Sequence, residues 1–131
     1  MIRASWAALL MSFALTGAPA QAHEGGGVVP LLTRALQPGL DEGTMLVVTL
    51  GPGEASPAHR HRAHVFVYML EGEVVMQVAG GAEQRLKPGD VFEEVPDDVH
   101  TQARNASKDS PARFVVFLVK KQGVPAVLPA D

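Results

Sequence analysis

The stretch "PAHRHRAHVFVYMLEGEVVMQV", residues 57–78, sets His59, His61 and His64 within six residues, and His100 follows "VFEEVPDDV" at the head of another extended segment. Imidazole binds first-row transition metals at neutral pH. His59 and His61 stand two apart, so on an extended backbone both point to one face and can share one cation. One divalent Fe, Mn, Ni, Cu or Zn fits such a nitrogen set, whereas Ca and Mg need more oxygen donors than the neighbourhood offers. The competing account of "HRHRAH" is a solvated basic loop. His64 comes three residues after His61 and faces the other way on a regular strand. A bulge at Arg62–Ala63 is needed to bring it in as an auxiliary ligand; otherwise it is a supporting or outward-facing residue. Glu93 and Glu94 interrupt an apolar run, and alternation sends one of them inward as the nearest carboxylate for proton transfer. Charges facing water on an edge strand account for them equally well.

These residues need extended segments to hold them. "MLVVTL", "HVFVYML", "EVVMQV", "EQRL", "VFEEV", the polar stretch from Thr101 to Asn105 and "RFVVFLVK" read as short strands between Gly- and Pro-marked turns. Glu71-Gly72 reads as a tight hairpin turn between the second and third of them. No amphipathic helix of useful length lies in this span, so the expected fold is all-β, a sandwich or a small β-barrel, with the barrel favoured because its interior can enclose a small site. Val65, Val67 and Met69 take the inward face with His59 and His61, while Phe66 and Tyr68 take the opposite one. That apolar lining suits a small aromatic or apolar molecule, and plain core packing is the competing account. The Pro-rich tail "QGVPAVLPAD" belongs at a sheet edge or against a partner.

The order Gly53, His59, His61 and Gly72 resembles the first motif of the cupin family, G-x5-H-x-H-x3-4-E-x6-G, and Gly89 to Asn105, "GDVFEEVPDDVHTQARN", is similar to its second, G-x5-P-x-G-x2-H-x3-N. The resemblance covers roughly Leu46 to Val119 and extends to the small single-domain bacterial cupins labelled quercetin-dioxygenase-like. It implies a double-stranded β-helix, or jelly roll, and it makes His59, His61 and His100 the metal ligands. The chain departs from the pattern at four places: Val65 stands where the family's glutamate ligand falls, Pro96 and Asn105 come one residue late, and Asp98 replaces a glycine. A three-histidine site is chemically adequate for Fe(II) or Cu(II) and leaves positions open for substrate. Oxygen chemistry is the activity that the resemblance implies, with Glu93 or Glu94 as proton carrier. A non-catalytic module that senses or binds a metal or small ligand is the alternative, favoured by Val65, and a metal-free small-molecule binder is a third reading.

Composition narrows the setting. The chain has 131 residues, room for one ordinary domain, and no Cys, which excludes disulfides, thiolate ligands and thiol nucleophiles together. Its formal net charge of −3 argues against nucleic acid and anionic membranes as partners. "MIRASWAALLMSFALTGAPAQA" has one early positive charge, a short apolar run and an Ala20-Gln21-Ala22 cleavage pattern, the layout of a secretory signal peptide. An uncleaved anchor is the competing reading. The expected division is a signal peptide at 1–22, an N-terminal segment at 23–44, the barrel at 45–120 and a tail at 121–131. Cleavage after Ala22 makes His23 N-terminal, where amine and ring together can chelate copper. No later apolar stretch reaches the ~20 residues that span a bilayer. The expectation is an exported protein, periplasmic or secreted, acting on a small molecule. Exposed strand edges and the apolar "VPAVL" leave room for a homodimer.

Overall fold

The computed structural model describes residues 29–131, so the proposed signal peptide and His23 lie outside the described residues. Ten strands and no helix make up the described part: β1 Glu42–Leu50, β2 Ala55–Ser56, β3 His59–Arg60, β4 Ala63–Glu71, β5 Val74–Val78, β6 Gln84–Leu86, β7 Val91–Glu94, β8 Val99–Asn105, β9 Ala112–Lys120 and β10 Leu128–Pro129. They form two antiparallel sheets. One has the order β1-β9-β4-β7; the other runs β10-β3-β8-β5-β6, with β2 also on β8. The tail reaches an edge as β10, where a proline costs no ladder bond that the sheet needs.

Period-two patterning explains why these segments face one another. On β9, Ala112, Phe114, Val116 and Leu118 are buried and alternate with Arg113, Val115, Phe117 and Val119. On β4, Val65, Val67 and Met69 are buried, whereas Tyr68 is exposed. Register sets Val65 against both Leu118 and Glu94, and Val67 against Val116 and Phe92, so one face of the sheet is continuous and, apart from Glu94, apolar. From the other sheet Val74, Met76 and Leu86 complete the core. Each such side chain contributes about 1.5–3 kcal/mol by leaving water, and Leu118→Ala should cost about 2–5 kcal/mol.

The turn at Glu71-Gly72 is not a hairpin. β4 pairs with β7 and β9 whereas β5 pairs with β6 and β8, so the chain crosses from one sheet to the other at this corner. The crossing is tight: Gly72 has φ +71°, and a Cβ there would stand 2.7 Å from the Pro111 carbonyl oxygen. Only glycine meets both conditions. A second device ties β1 to the loop before β9. The buried Asn105 amide donates to the carbonyls of Leu50, Gly51 and Ser110, and its Oδ1 accepts from Ser107 N.

Candidate metal centre

β3 and β8 build the site. His59 and His100 are directly opposed across these strands, and His61, two residues beyond His59, returns to the same face. The His59 ring centroid lies 4.9 Å from that of His61 and 5.0 Å from that of His100. One nitrogen from each can be chosen so that all three lie within 4.8 Å of one another. His100 reaches this face through a β-bulge. Gln77 pairs with Gln102 but Val78 pairs with His100, so β8 holds one extra residue, Thr101, at this point. In an unbulged strand His100 would face away from Ala103; the extra residue turns both into the pocket. A turn over Val95–Asp98 supports the arrangement: Asp98 accepts from Val95 N, and Asp97, at φ +71°, donates its N–H to the His61 carbonyl.

Hydrogen bonds settle which nitrogens are free. A carbonyl oxygen can only accept, so His59 Nδ1 must donate to Pro57 O at 2.8 Å and His61 Nδ1 must donate to Ala126 O. Both rings then carry the lone pair on Nε2. His100 Nε2 is buried and has no hydrogen-bond partner among the described residues. Burial pushes the His59 imidazole below its ordinary pKa, although the Pro57 carbonyl opposes the shift, and the neutral ligand form is thereby favoured. Glu94 forms part of the wall. It is 2% exposed, with Oε1 3.2 Å from His100 Nδ1 and Oε2 3.9 Å from His61 Nε2, and Oε2 has no hydrogen-bond partner among the described residues. His100 Nε2 and Glu94 Oε2 are thus both buried without a hydrogen-bond partner among the described residues, and the nitrogens of His59, His61 and His100 form the set that can close on one ion. That is the donor set a divalent cation satisfies, and the residues fit a metal.

The other two sequence candidates lie elsewhere. His64 stands on the opposite face of β4, stacked on Phe66 with centroids 4.8 Å apart, and its Nε2 is 2.9 Å from Glu93 Oε1. The four-histidine set is therefore not formed: the strand irregularity in β4 falls between Met69 and Glu71, not at Arg62–Ala63, so nothing rotates His64 inward. Glu93 shares that outer face and also pairs with Arg34 at 2.7 Å, which removes it from the pocket and leaves Glu94 as the inward carboxylate. Sequence reasoning missed the backbone carbonyl of Ala126 as the partner of His61, a contact no side chain announces.

The pocket has a volume of about 560 Å³. Val67, Met76, Phe114, Val116 and Leu118 give it aliphatic and aromatic walls, and among the described residues no Lys or Arg lines it.

Two facing antiparallel sheets around a histidine-lined pocket define a double-stranded β-helix protein. The chain belongs to the cupin family: the family model described as Cupin domain matches residues 46–118. Among solved structures it is similar to the DMSP lyase DddQ from Ruegeria pomeroyi DSS-3, at 27% identity and TM-score 0.57, over 67% of this chain and 43% of that one. It is also similar to salicylate 1,2-dioxygenase from Pseudoaminobacter salicylatoxidans, at 29% identity and TM-score 0.53, over 59% of this chain and 22% of that one. A cupin-like protein from Thermotoga maritima shares the fold at 24% identity and TM-score 0.55, over 64% of this chain and 62% of that one. The chain thus spans less than half the length of the lyase that it matches. Among curated proteins none matches significantly.

Proposed function

We propose that this chain is an exported cupin, periplasmic or secreted, that holds one divalent transition metal on His59, His61 and His100 and uses it on a small oxygen-bearing molecule in a dioxygenase-like reaction. The observation that carries the reading is the grouping of His59, His61 and His100, with one nitrogen of each within 4.8 Å of the others, beside a Glu94 Oε2 and a His100 Nε2 that are buried with no hydrogen-bond partner among the described residues. When bound, the metal would supply Lewis acidity and the means to bring substrate and O₂ together. The chain's own residues do the rest. The apolar walls exclude water and seat an apolar body. Glu94 is placed to accept or return a proton at Oε2. With no Lys or Arg in the lining among the described residues, a ligand with one metal-binding oxygen head is favoured over one carrying a second anionic group. The enzymatic names of two relatives, a lyase and a dioxygenase, support small-molecule chemistry in general.

Elemental analysis of the mature, untagged protein beside a His59→Ala/His61→Ala variant tests the metal. About one equivalent of Fe, Mn, Ni, Cu or Zn, absent from the variant, is the expected result. O₂ consumption over a panel of phenols and small diketones then tests the reaction. A second reading keeps the metal and drops the turnover: a non-catalytic module that binds or senses a metal or small ligand. Val65, buried at the position where the cupin pattern has a glutamate, favours it. Metal retention with no O₂ uptake across the panel would select that reading; turnover lost in His61→Ala would sink it.

A further inference from the structure

The C-terminal segment lies beyond residues 46–118, the span matched by the family model, yet its contacts concentrate on the site. Both β10 ladder pairs fall on β3, with Pro129 opposite His59 and Leu128 opposite Arg60. Arg60 also donates to the Asp131 carbonyl at 3.1 Å, and the Ala126 carbonyl accepts from His61 Nδ1. Ala126, Val127 and Pro129 form part of the pocket wall. The segment is otherwise lightly held: Ala126 packs against the core and Val124, Leu128 and Ala130 are half-buried, but the ladder is two residues long at a sheet edge and Pro125, Val127 and Pro129 are exposed. Val127 is 56% exposed although it lines the pocket, so an apolar side chain stands at the rim where a bound molecule would cover it.

We propose that residues 124–131 act as a strap that completes the ligand pocket and positions His61 for metal binding, so that docking of the strap and loading of the site are energetically coupled. The strap holds His61 in the tautomer whose Nε2 carries the lone pair. His59 pairs with Pro129 through its backbone, but its ring is held in the same tautomer by Pro57, which lies outside the strap, so its Nδ1 hydrogen bond is the comparison for that of His61. A strap undocked from β3 frees His61 to rotate and to change tautomer, which weakens the site. By reciprocity, a bound ion must hold the strap down by the same factor.

The inference rests on the metal-centre reading, and the test separates the two. Three chains are compared: the full chain, one ending at Gly123, and an Arg60→Cys/Leu128→Cys variant. Directly opposed antiparallel residues lie about 4.5–5.5 Å apart, within disulfide range, and with no native Cys the introduced pair has no competitor. Zn²⁺ affinity is measured by chelator competition, and imidazole tautomers by ¹⁵N NMR without metal. The shortened chain is expected to bind Zn²⁺ about 10-fold or more weakly, and to lose the Nδ1–H preference of His61 but not of His59. Zn²⁺ is expected to slow amide exchange within 124–131, and the oxidised disulfide to slow Zn²⁺ release relative to the reduced form. Affinity within twofold together with an unchanged His61 tautomer overturns the strap. If the shortened chain does not fold, equal Zn²⁺ release from the oxidised and reduced variant overturns it instead. A full chain that binds no Zn²⁺ refutes the metal centre, and the comparison of His61 with His59, which needs no metal, still decides the strap.

Discussion

Strand β7 carries two neighbouring glutamates, and each meets histidine on its own face of the sheet. Outside, Glu93 accepts from His64 and pairs with Arg34, so its charge is answered by protein. Inside, Glu94 meets His61 and His100 at longer range, and one of its oxygens is left without a partner among the described residues. The same residue types in the same strand thus form a finished structural cluster on one face and an unfinished one on the other. An unfinished buried cluster stays unfavourable until something fills it. That difference, rather than the number of histidines, is what sets the inner face apart, and the proposed metal site lies on it.

Removing histidines from the two faces should give the widest separation. His59→Ala/His61→Ala is expected to weaken metal binding well beyond the ~10–100-fold that losing a supporting partner costs, whereas His64→Ala should leave affinity within about threefold while costing about 1–3 kcal/mol of stability, because Glu93 loses a buried partner. Chelator competition and urea denaturation of the same samples read both. Comparable metal loss in His64→Ala would erase the distinction between the faces.

The glutamates sharpen the comparison through a sign. In metal-free protein, Glu94→Gln removes a buried carboxylate that no Lys or Arg answers among the described residues, and stability should rise by about 1–3 kcal/mol. Glu93→Gln weakens an answered one, and stability should fall by about 1 kcal/mol. Metal affinity moves in a different pattern: Glu94→Gln should lose about 10-fold or more, and Glu93→Gln should lose nothing measurable. Equal signs in the two denaturation curves would mean that Glu94 is as well satisfied as its neighbour.

Much of this was legible in the residues. The His59/His61 spacing, the alternation in "HVFVYML" and "RFVVFLVK", and the outward direction of His64 follow from the two-residue period of a strand. Which of Glu93 and Glu94 faces inward was not legible, because it depends on the register that sets Val65 against Glu94, a choice made by the whole sheet. The bulge at Thr101 was equally silent: it is one extra residue in a polar strand, recognisable only once β5 lies beside it. Glu71-Gly72 carries the same composition as a hairpin turn, and only the pairing of β4 and β5 in different sheets identifies it as a corner. The Ala126 carbonyl has no sequence signature at all, since any residue could supply it.

The smallest effect belongs to Arg34, which anchors the segment before β1 to the outer cluster. Its Nε sits 2.7 Å from Glu93 Oε2, but its side chain is 48% exposed, so water and salt screen the pair. Arg34→Ala should therefore cost about 0–1 kcal/mol at low ionic strength. The cost should shrink further at about 1 M salt, where the Debye length is about 3 Å. His64 remains against Glu93 in the variant and retains most of the outer cluster's stability. Denaturation midpoints of wild type and Arg34→Ala in low and high salt check this. A loss that persists unchanged at high salt would show that Arg34 acts through packing of the N-terminal segment, and the outer cluster would then reduce to the single contact between His64 and Glu93.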